Sequence, residues 1–301
     1  MKNYLITGGT GFVGTRLISE LEKQAHHIYI LTRNPEMYRN TATQTFLSYD
    51  HHPEDLPTIH GIINLAGDSL FGYWTKTKKA SIRSSRMETT ERLLQMTRQL
   101  SKPPEVWINA SAIGFYGTSE DLIFTEETTA SGNDFLAEVV TEWEKTAQQA
   151  TELGIRVVYA RFGIILGRED GALPLMSLPV KMFAGTKMSD GEQWMSWIHI
   201  EDVVQLLLLC LQSEKIAGPV NFTAPEPKRN KEFTKMMATV LKRPFWTIPA
   251  PYPIIRMAIG EMSMLLLKGQ CVLPNKAEEF HYRFRYPKLK DALTNLLEKE
   301  D

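Results

Sequence analysis

Short apolar runs recur along the first half of the chain, each followed by turn residues and then by a segment whose apolar positions return at helical spacing. The runs are Tyr4–Thr7, Ile28–Thr32, Ile59–Leu65, Val106–Ala110 and Ile155–Arg161. The helical patterns between them cover Phe12–Lys23, Thr75–Leu100 and Asp134–Leu153, the last stopped by Gly154 as a C-cap would be. Strands alternating with helices predict an α/β protein built on a doubly wound, parallel, Rossmann-type sheet.

The rhythm loosens after Arg161. RFGIILGREDGALPLM reads as loop, DGEQWMSWIHI as a short strand, Glu201–Gln212 as a buried helix and Pro219–Thr223 as one more strand. Beyond Ala224 the chain is punctuated by proline and helical, over Asn230–Leu241, Tyr252–Lys268 and Leu289–Glu298. This divides the chain into a dinucleotide-type unit, residues 1–165 completed by 200–223, and a smaller, mainly helical lobe from 166–199 and 224–301 packed over the carboxyl edge of the sheet. A chain of 301 residues with 43% hydrophobic content can bury a core in each.

Charge and cysteine content narrow the classes. With 34 basic and 35 acidic residues the formal net charge is -1, which argues against nucleic acid as a partner and toward a small molecule. Cys210 and Cys271 have no metal-ligand spacing, and a reduced thiol at Cys210 within VVQLLLLCL points to a cytoplasmic chain. No secretory signal is visible, and Pro253–Leu267, broken by Arg256 and Glu261, is too short to span a bilayer. The stripe Met257, Met262, Met264 reads first as core packing and second as an oligomer interface or lid face, which leaves a homodimer open.

The chemistry is concentrated in YLITGGTGFVG. Gly8, Gly11 and Gly14 follow a predicted strand and open a predicted helix. Such a loop lets backbone N–H groups approach a pyrophosphate, and the helix N-terminus adds the positive end of its dipole. The second strand ends in Thr32 and Arg33, where an NAD-specific site places an acid for the ribose 2′-hydroxyl. A guanidinium there fits the additional phosphate of NADP(H), which an acid would repel. Leu65, Ala66 and Gly67 close the run IINLAG at the edge where ligands of open α/β sheets bind. On the next helix Arg83 and Arg86 share a face; one could turn toward phosphate, or both could pair with Glu88 and Glu91 in solvent. The expected cofactor site is thus Gly8, Thr10, Gly11, Phe12, Val13, Gly14, Thr32, Arg33, Leu65, Ala66, Gly67, Arg86 and Arg161.

On the substrate side the sequence offers Tyr73, Trp74, Gln193, Trp194 and Trp197, aromatics with polar tips suited to a planar or sugar-like ligand. His199, with an ordinary pKa of about 6.5, is either a general acid–base or a structural histidine bonded to Asp202 or backbone. The other histidines do not cluster with cysteines or acids, so no metal is expected.

Taken in order, TGGTGFVG, INLAG, ASAIGFYG, RFGIILG and SWIHIEDVV resemble the extended short-chain dehydrogenase/reductases, the superfamily of NAD-dependent epimerases and dehydratases. With PAPYPIIRMAIGEMSMLLLKGQCVLP and FRYPKLKDAL the resemblance sharpens to the "epimerase family" branch, which has its own C-terminal domain of unknown function. The resemblance implies a nicotinamide over the sheet, a Ser or Thr at the end of the fifth strand and a Tyr-x-x-x-Lys pair on the helix after it. In that pair the tyrosine exchanges a proton with a substrate hydroxyl and the lysine lowers the tyrosine pKa. DFLAEVVTEWEKTAQQA departs from this: Phe135 or Leu136 stands at the tyrosine and Val139 or Val140 at the lysine, and Tyr286 to Lys290 matches only by chance. The serine position falls on Ala112, with Ser111 one residue earlier. Ser111, Tyr116 and His199 are the remaining candidates for proton transfer. Two readings follow: an NADP(H)-dependent oxidoreductase or sugar-nucleotide epimerase-like enzyme acting on a small hydroxyl or carbonyl compound, or an NADP(H)-binding sensor with little catalysis.

Overall fold

The computed structural model describes residues 1–250, 257 and 260–298. Five sheet strands come early: β1 (Asn3–Thr7), β2 (His27–Leu31), β3 (Gln44–Leu47), β4 (Gly61–Asn64) and β5 (Val106–Ala112). The two-residue β6 (Ile123–Phe124) lies outside the sheet, and β7 (Arg156–Phe162) returns to it. Four short strands follow, β8 (Ile164–Leu166), β9 (Thr186–Met188), β10 (Trp194–Met195) and β11 (Trp197–His199), before β12 (Gly218–Phe222) completes the seven-stranded sheet. Its order is β12-β7-β5-β4-β1-β2-β3, parallel throughout.

A parallel sheet carries helices on both faces, so its strands are apolar throughout rather than alternating. Ile6, Ile28, Ile63 and Ile108 pack under α1 (Phe12–Lys23) and α5 (Ile200–Gln212), while Leu5, Leu31, Ile62 and Trp107 face α2 (Lys76–Arg98). On that second side α2 lies against α3 (Phe135–Gln148). Asp134 caps α3 by accepting from the N–H groups of Leu136 and Ala137, and a 3-10 turn over Gln149–Leu153 ends at Gly154 with φ 74°.

Three differences from the pattern reading have plain causes. The edge strand β3, QTFL, is only half-buried along its length and so carries too few apolar residues to register. DGEQWMSWIHI is not one strand, because β10 pairs with β13 (Lys228–Arg229) and β11 with β8. The stretch read as loop runs into α4 (Leu173–Lys181), whose Pro174 stands in the first turn, where proline is tolerated, while Pro179 lies inside the helix; burial of Leu173 and Val180 holds it in place.

The smaller lobe has its own core of Leu173, Val180, Trp197, Phe233, Met237 and Leu293, contributed by α4, β11, α6 (Asn230–Val240) and the C-terminal helix Leu289–Leu297. Two further strands, β14 (Trp246–Ala250) against β9 and β15 (Cys271–Val272) against β6, tie this chain region together. Residues 252–256, 258 and 259 of the expected helix Tyr252–Lys268 lie outside the described residues; its described end is a 3-10 turn, Gly260–Ser263, and a helical turn, Met264–Leu267.

The start of α5 fastens the C-terminal segment. Asp202, fully buried, accepts from the Tyr282 hydroxyl at 2.8 Å and from the backbone N–H groups of Arg285 and Tyr286 at 2.7 and 3.0 Å. His199 caps α5: its Nδ1 accepts from the Glu201 N–H, so the ring proton sits on Nε2 and is donated to Asn295 Oδ1 at 3.1 Å. Its partners are thus backbone and Asn295, not Asp202, and the ring stacks on Tyr286 with centroids 3.9 Å apart. Burial pulls the imidazole pKa down to about 4, with the Asn295 hydrogen bond opposing.

Both fasteners make testable predictions. An unfolded histidine protonates at about 6.5 and the folded one only near 4, so this stability is complete above pH 6.5 and is lost as pH falls toward 4. The loss reaches about 3 kcal/mol, and urea unfolding between pH 7 and 4.5 should show it in the native chain and a flatter dependence in His199→Asn. Asp202→Ala leaves the Tyr282 hydroxyl and the part-buried N–H groups of Arg285 and Tyr286 without their acceptor and should lower unfolding free energy at pH 7 by about 2–3 kcal/mol; a change below about 1 kcal/mol would contradict the fastener role.

Candidate functional site

The chain leaves β1 and turns sharply at Gly8, whose φ is 67°. A Cβ on Gly8 would lie 2.7 Å from the Leu65 carbonyl carbon and 2.9 Å from the Ala66 nitrogen, so the exits of β1 and β4 touch backbone to backbone. At Gly14 a Cβ would stand 2.3 Å from the Gly8 carbonyl oxygen, which bars any side chain. Gly11 is the N-cap of α1 in an extended conformation, without side-chain capping and with no acid in the first turn. The first N–H groups of an α-helix have no partner within it, so those of Phe12 and Val13 are available to a pyrophosphate. Phe12 packs its ring beside Gly167 and Gly171, Thr10 stays exposed, and the residues present fit a bound dinucleotide.

At the end of β2, Thr32 continues the ladder by donating its N–H to the Leu47 carbonyl, and Arg33 is exposed. The stretch Thr32–Asn34 contains no acid. Past β4, Leu65, Ala66 and Gly67 form the opposite rim. Arg86 turns in beneath them, and Nη1 donates to the Asp68 and Ile82 carbonyls at 3.2 and 2.8 Å. Arg83 turns away and pairs with Glu142 of α3 at 2.5 Å, rather than with Glu88 or Glu91.

The proton-transfer candidates are not brought together. Ser111 and Arg161 are register partners on β5 and β7, and Glu144 of α3 binds both. Ser111 donates to Glu144 Oε1 at 2.5 Å, and Arg161 donates Nε and Nη2 to the two carboxylate oxygens, each at 2.8 Å. The guanidinium stacks 3.5 Å from the Phe115 ring centroid, beside Tyr116. The Tyr116 hydroxyl donates to Asn221 Oδ1 at 2.8 Å, and burial pushes its phenol above the ordinary value while Arg161 opposes. His199 sits in the C-terminal fastener. On α3, Phe135 meets Trp74 edge to face at 5.7 Å, Val139 packs with Trp74 and Ile82, and Val140 packs with Ile113 and Tyr116.

The substrate-side residues also part company. Trp197 lies in the core of the smaller lobe with Nε1 bonded to the Glu226 carbonyl, and Trp74 is buried with Nε1 on the Leu70 carbonyl. Tyr73 is exposed beside Gly260. Trp194 donates to the Glu120 carbonyl and carries Arg229 on its ring at 3.8 Å. Gln193, with Thr118, Ser119, Lys268 and Gly269, borders a cavity of about 180 Å³ between the loop after β5 and the smaller lobe.

A buried polar network beneath the glycine loop escaped the sequence reading. Thr7 Oγ1 donates to Asn64 Oδ1 at 2.6 Å, and Asn64 Nδ2 donates to Asn109 Oδ1 at 2.7 Å and to Thr90 Oγ1 at 2.9 Å. Trp143 Nε1 also donates to Thr90, and the Ala66 N–H reaches Thr7 Oγ1 at 3.3 Å. The available signal was a polar residue at or next to the end of each apolar strand run: Thr7, Asn64, Asn109. Among the described residues no group of three or more His, Cys, Asp or Glu is arranged to hold a metal, and no helix is long and apolar enough to cross a membrane.

Comparison with known proteins agrees with this geometry. A model of the NAD dependent epimerase/dehydratase family matches residues 4–222, and a domain of unknown function (DUF1731) matches residues 250–296. The epimerase family protein YfhF of Bacillus subtilis is 45% identical over 298 residues, 98% of each chain. An epimerase family protein of Staphylococcus aureus is 40% identical over 307 residues, 99% of this chain and 100% of its own. The human epimerase family protein SDR39U1, solved with NADPH, superposes with a TM-score of 0.88 at 29% identity over 98% of both chains. With its glycine loop, seven-stranded sheet and C-terminal segment all accounted for, the chain belongs to the NAD dependent epimerase/dehydratase family.

Proposed function

We propose that the protein binds NADP(H) and acts as an oxidoreductase or epimerase-like enzyme on a small hydroxyl- or carbonyl-bearing compound, with a proton route unlike that of its superfamily. The observation that carries the cofactor choice is the pairing of an uncapped α1 N-terminus behind Gly8, Gly11 and Gly14 with an exposed Arg33, and no acid, at the end of β2. The first receives the pyrophosphate shared by both dinucleotides, and the second receives the phosphate that only NADP(H) carries. NADPH in the human relative supports the same choice.

When bound, the nicotinamide supplies hydride transfer at a carbinol or carbonyl carbon. Phe135 or Leu136 and Val139 or Val140 offer only apolar surface where a tyrosine and lysine would stand. With Ser111 bonded to Glu144, Tyr116 to Asn221 and His199 to Asn295, bound water is left to carry the proton. That arrangement also supports a second reading, an NADP(H) sensor with little turnover whose smaller lobe reports the cofactor to a partner.

Titration with NADPH and NADH, followed by NADPH oxidation with aldehydes, ketones and sugar nucleotides, separates the two. Turnover supports the enzyme, and tight binding without turnover supports the sensor. Arg33→Ala should weaken NADPH binding about 10- to 100-fold, the loss of a charge-assisted phosphate contact, and leave NADH within about twofold. An equal loss for both would remove Arg33 from phosphate recognition. Leu136→Tyr should produce no activity, because no lysine stands one helical turn later to depress the new phenol.

A further inference from the structure

Six large apolar side chains stand in solvent together on the smaller lobe: Leu175, Leu178, Met182, Phe183, Trp246 and Ile248. The first three recur at i, i+3 and i+7, so they line the outer face of α4 and its C-terminus, opposite the Leu173 and Val180 that the core buries. Phe183 follows with φ 63°, a left-handed conformation in which the end of a helix ordinarily has glycine. Its carbonyl accepts from Trp246 Nε1 at 2.8 Å, which brings β14 beside it, and Ile248 stands two residues further along that strand. Exposure reaches 57% at Phe183, 69% at Met182 and 77% at Ile248. An apolar patch of this kind, left in water, marks an interaction surface.

The surroundings are basic. From the start of α4 to the end of β9, and from the start of α6 to Pro249, the chain carries six Lys or Arg and one acid, Glu232, although acids outnumber bases by 35 to 34 in the whole. Lys181 lies on α4 between Leu178 and Met182, Lys242 is exposed, and the Arg243 guanidinium stands 4.5 Å from the Phe183 ring centroid. Asp190 and Glu192 follow β9 at the end remote from Phe183.

We propose that this face docks on the surface of an anionic lipid bilayer, with its apolar side chains at the boundary of headgroups and acyl chains and Lys181, Lys242 and Arg243 on the lipid phosphates. Aromatic and aliphatic side chains bordered by Lys and Arg let a protein lie on a membrane without spanning it, and Trp settles at that depth. A second copy of the chain fits less well, because a two-fold contact sets a patch against itself and would bring two basic rims together. The aliphatic members of the patch suit hydrocarbon rather than nucleotide bases. At Phe183 the fold also holds a bulky ring in water at a backbone conformation that costs any residue with a Cβ, an arrangement that stability alone does not favour.

Co-sedimentation of the full chain with vesicles of phosphatidylcholine alone, and with roughly a third phosphatidylglycerol, tests this. The chain should bind the anionic vesicles about 30- to 100-fold more tightly than the neutral ones, and high salt should remove most of that difference. Phe183→Gly should weaken binding about 5- to 20-fold while the melting temperature stays level or rises, since glycine takes that φ freely. Leu178→Ser with Met182→Ser should weaken it about 10- to 100-fold, and Lys181→Gln with Lys242→Gln about 10- to 30-fold on anionic vesicles only. All of these side chains are exposed, so the variants keep the core intact. Sedimentation with neither vesicle, equal binding to both, or unchanged binding in the variants overturns the proposal. So does light scattering that shows a dimer dissociated by Phe183→Gly or by the paired serine substitutions, the result expected if a second copy covers the face.

Discussion

At the crossover between β1 and β4 two stretches of backbone meet with no side chain between them. Gly8 lies against Leu65 and Ala66, and Gly14 lies against Gly8, at distances that exclude a Cβ in either place. This contact sets the start and direction of α1, because the helix must begin where the turn leaves it. Gly11 supplies no side-chain cap, so the positive end of α1 is left for a ligand rather than satisfied by the protein. The strand order reverses at the same point, with β2 and β3 on one side of β1 and β4 and β5 on the other, which opens the cleft where doubly wound sheets bind their ligands.

Directly under that contact the sheet is polar. Thr7, Asn109 and Thr90 each hydrogen-bond to Asn64, so that the buried amide and hydroxyl groups find partners. Buried polar groups that are fully bonded rigidify their surroundings, and here the Ala66 N–H is drawn into the same network. The rim is therefore held from below through Thr7 and from the side through Asp68.

Elsewhere, groups that could transfer protons are occupied in holding elements together. Glu144 joins α3 to β5 and β7 through Ser111 and a two-pronged bond from Arg161, Asp202 ties α5 to the C-terminal segment, and His199 joins α5 to the last helix. The face of α3 that carries the reactive pair elsewhere in the superfamily is filled by Phe135, Leu136, Val139 and Val140 against Trp74, Ile82 and Tyr116. That face of α3 therefore presents no side-chain acid or base.

The sequence by itself determined the alternation of strands and helices, hence the parallel sheet, because fully buried strands and one-sided helices leave different hydrophobic periods. It also determined the glycine loop, since only glycine fits where backbones touch, and the lack of a Tyr-x-x-x-Lys pair on α3, since residue identity alone settles that. The edge strand β3 and helix α4 were not legible: one is half-buried, and the other is a proline-bearing segment stabilised by distant partners in the smaller lobe. Nor could local pattern show which of Arg83 and Arg86 turns inward, that Trp197 is core, or that Ser111, Tyr116 and His199 are each bonded to residues 33, 105 and 96 positions away. Only tertiary structure decided those, because a hydrogen bond or a buried charge is fixed by what the fold places opposite it, and the chain's own neighbours carry no trace of that partner.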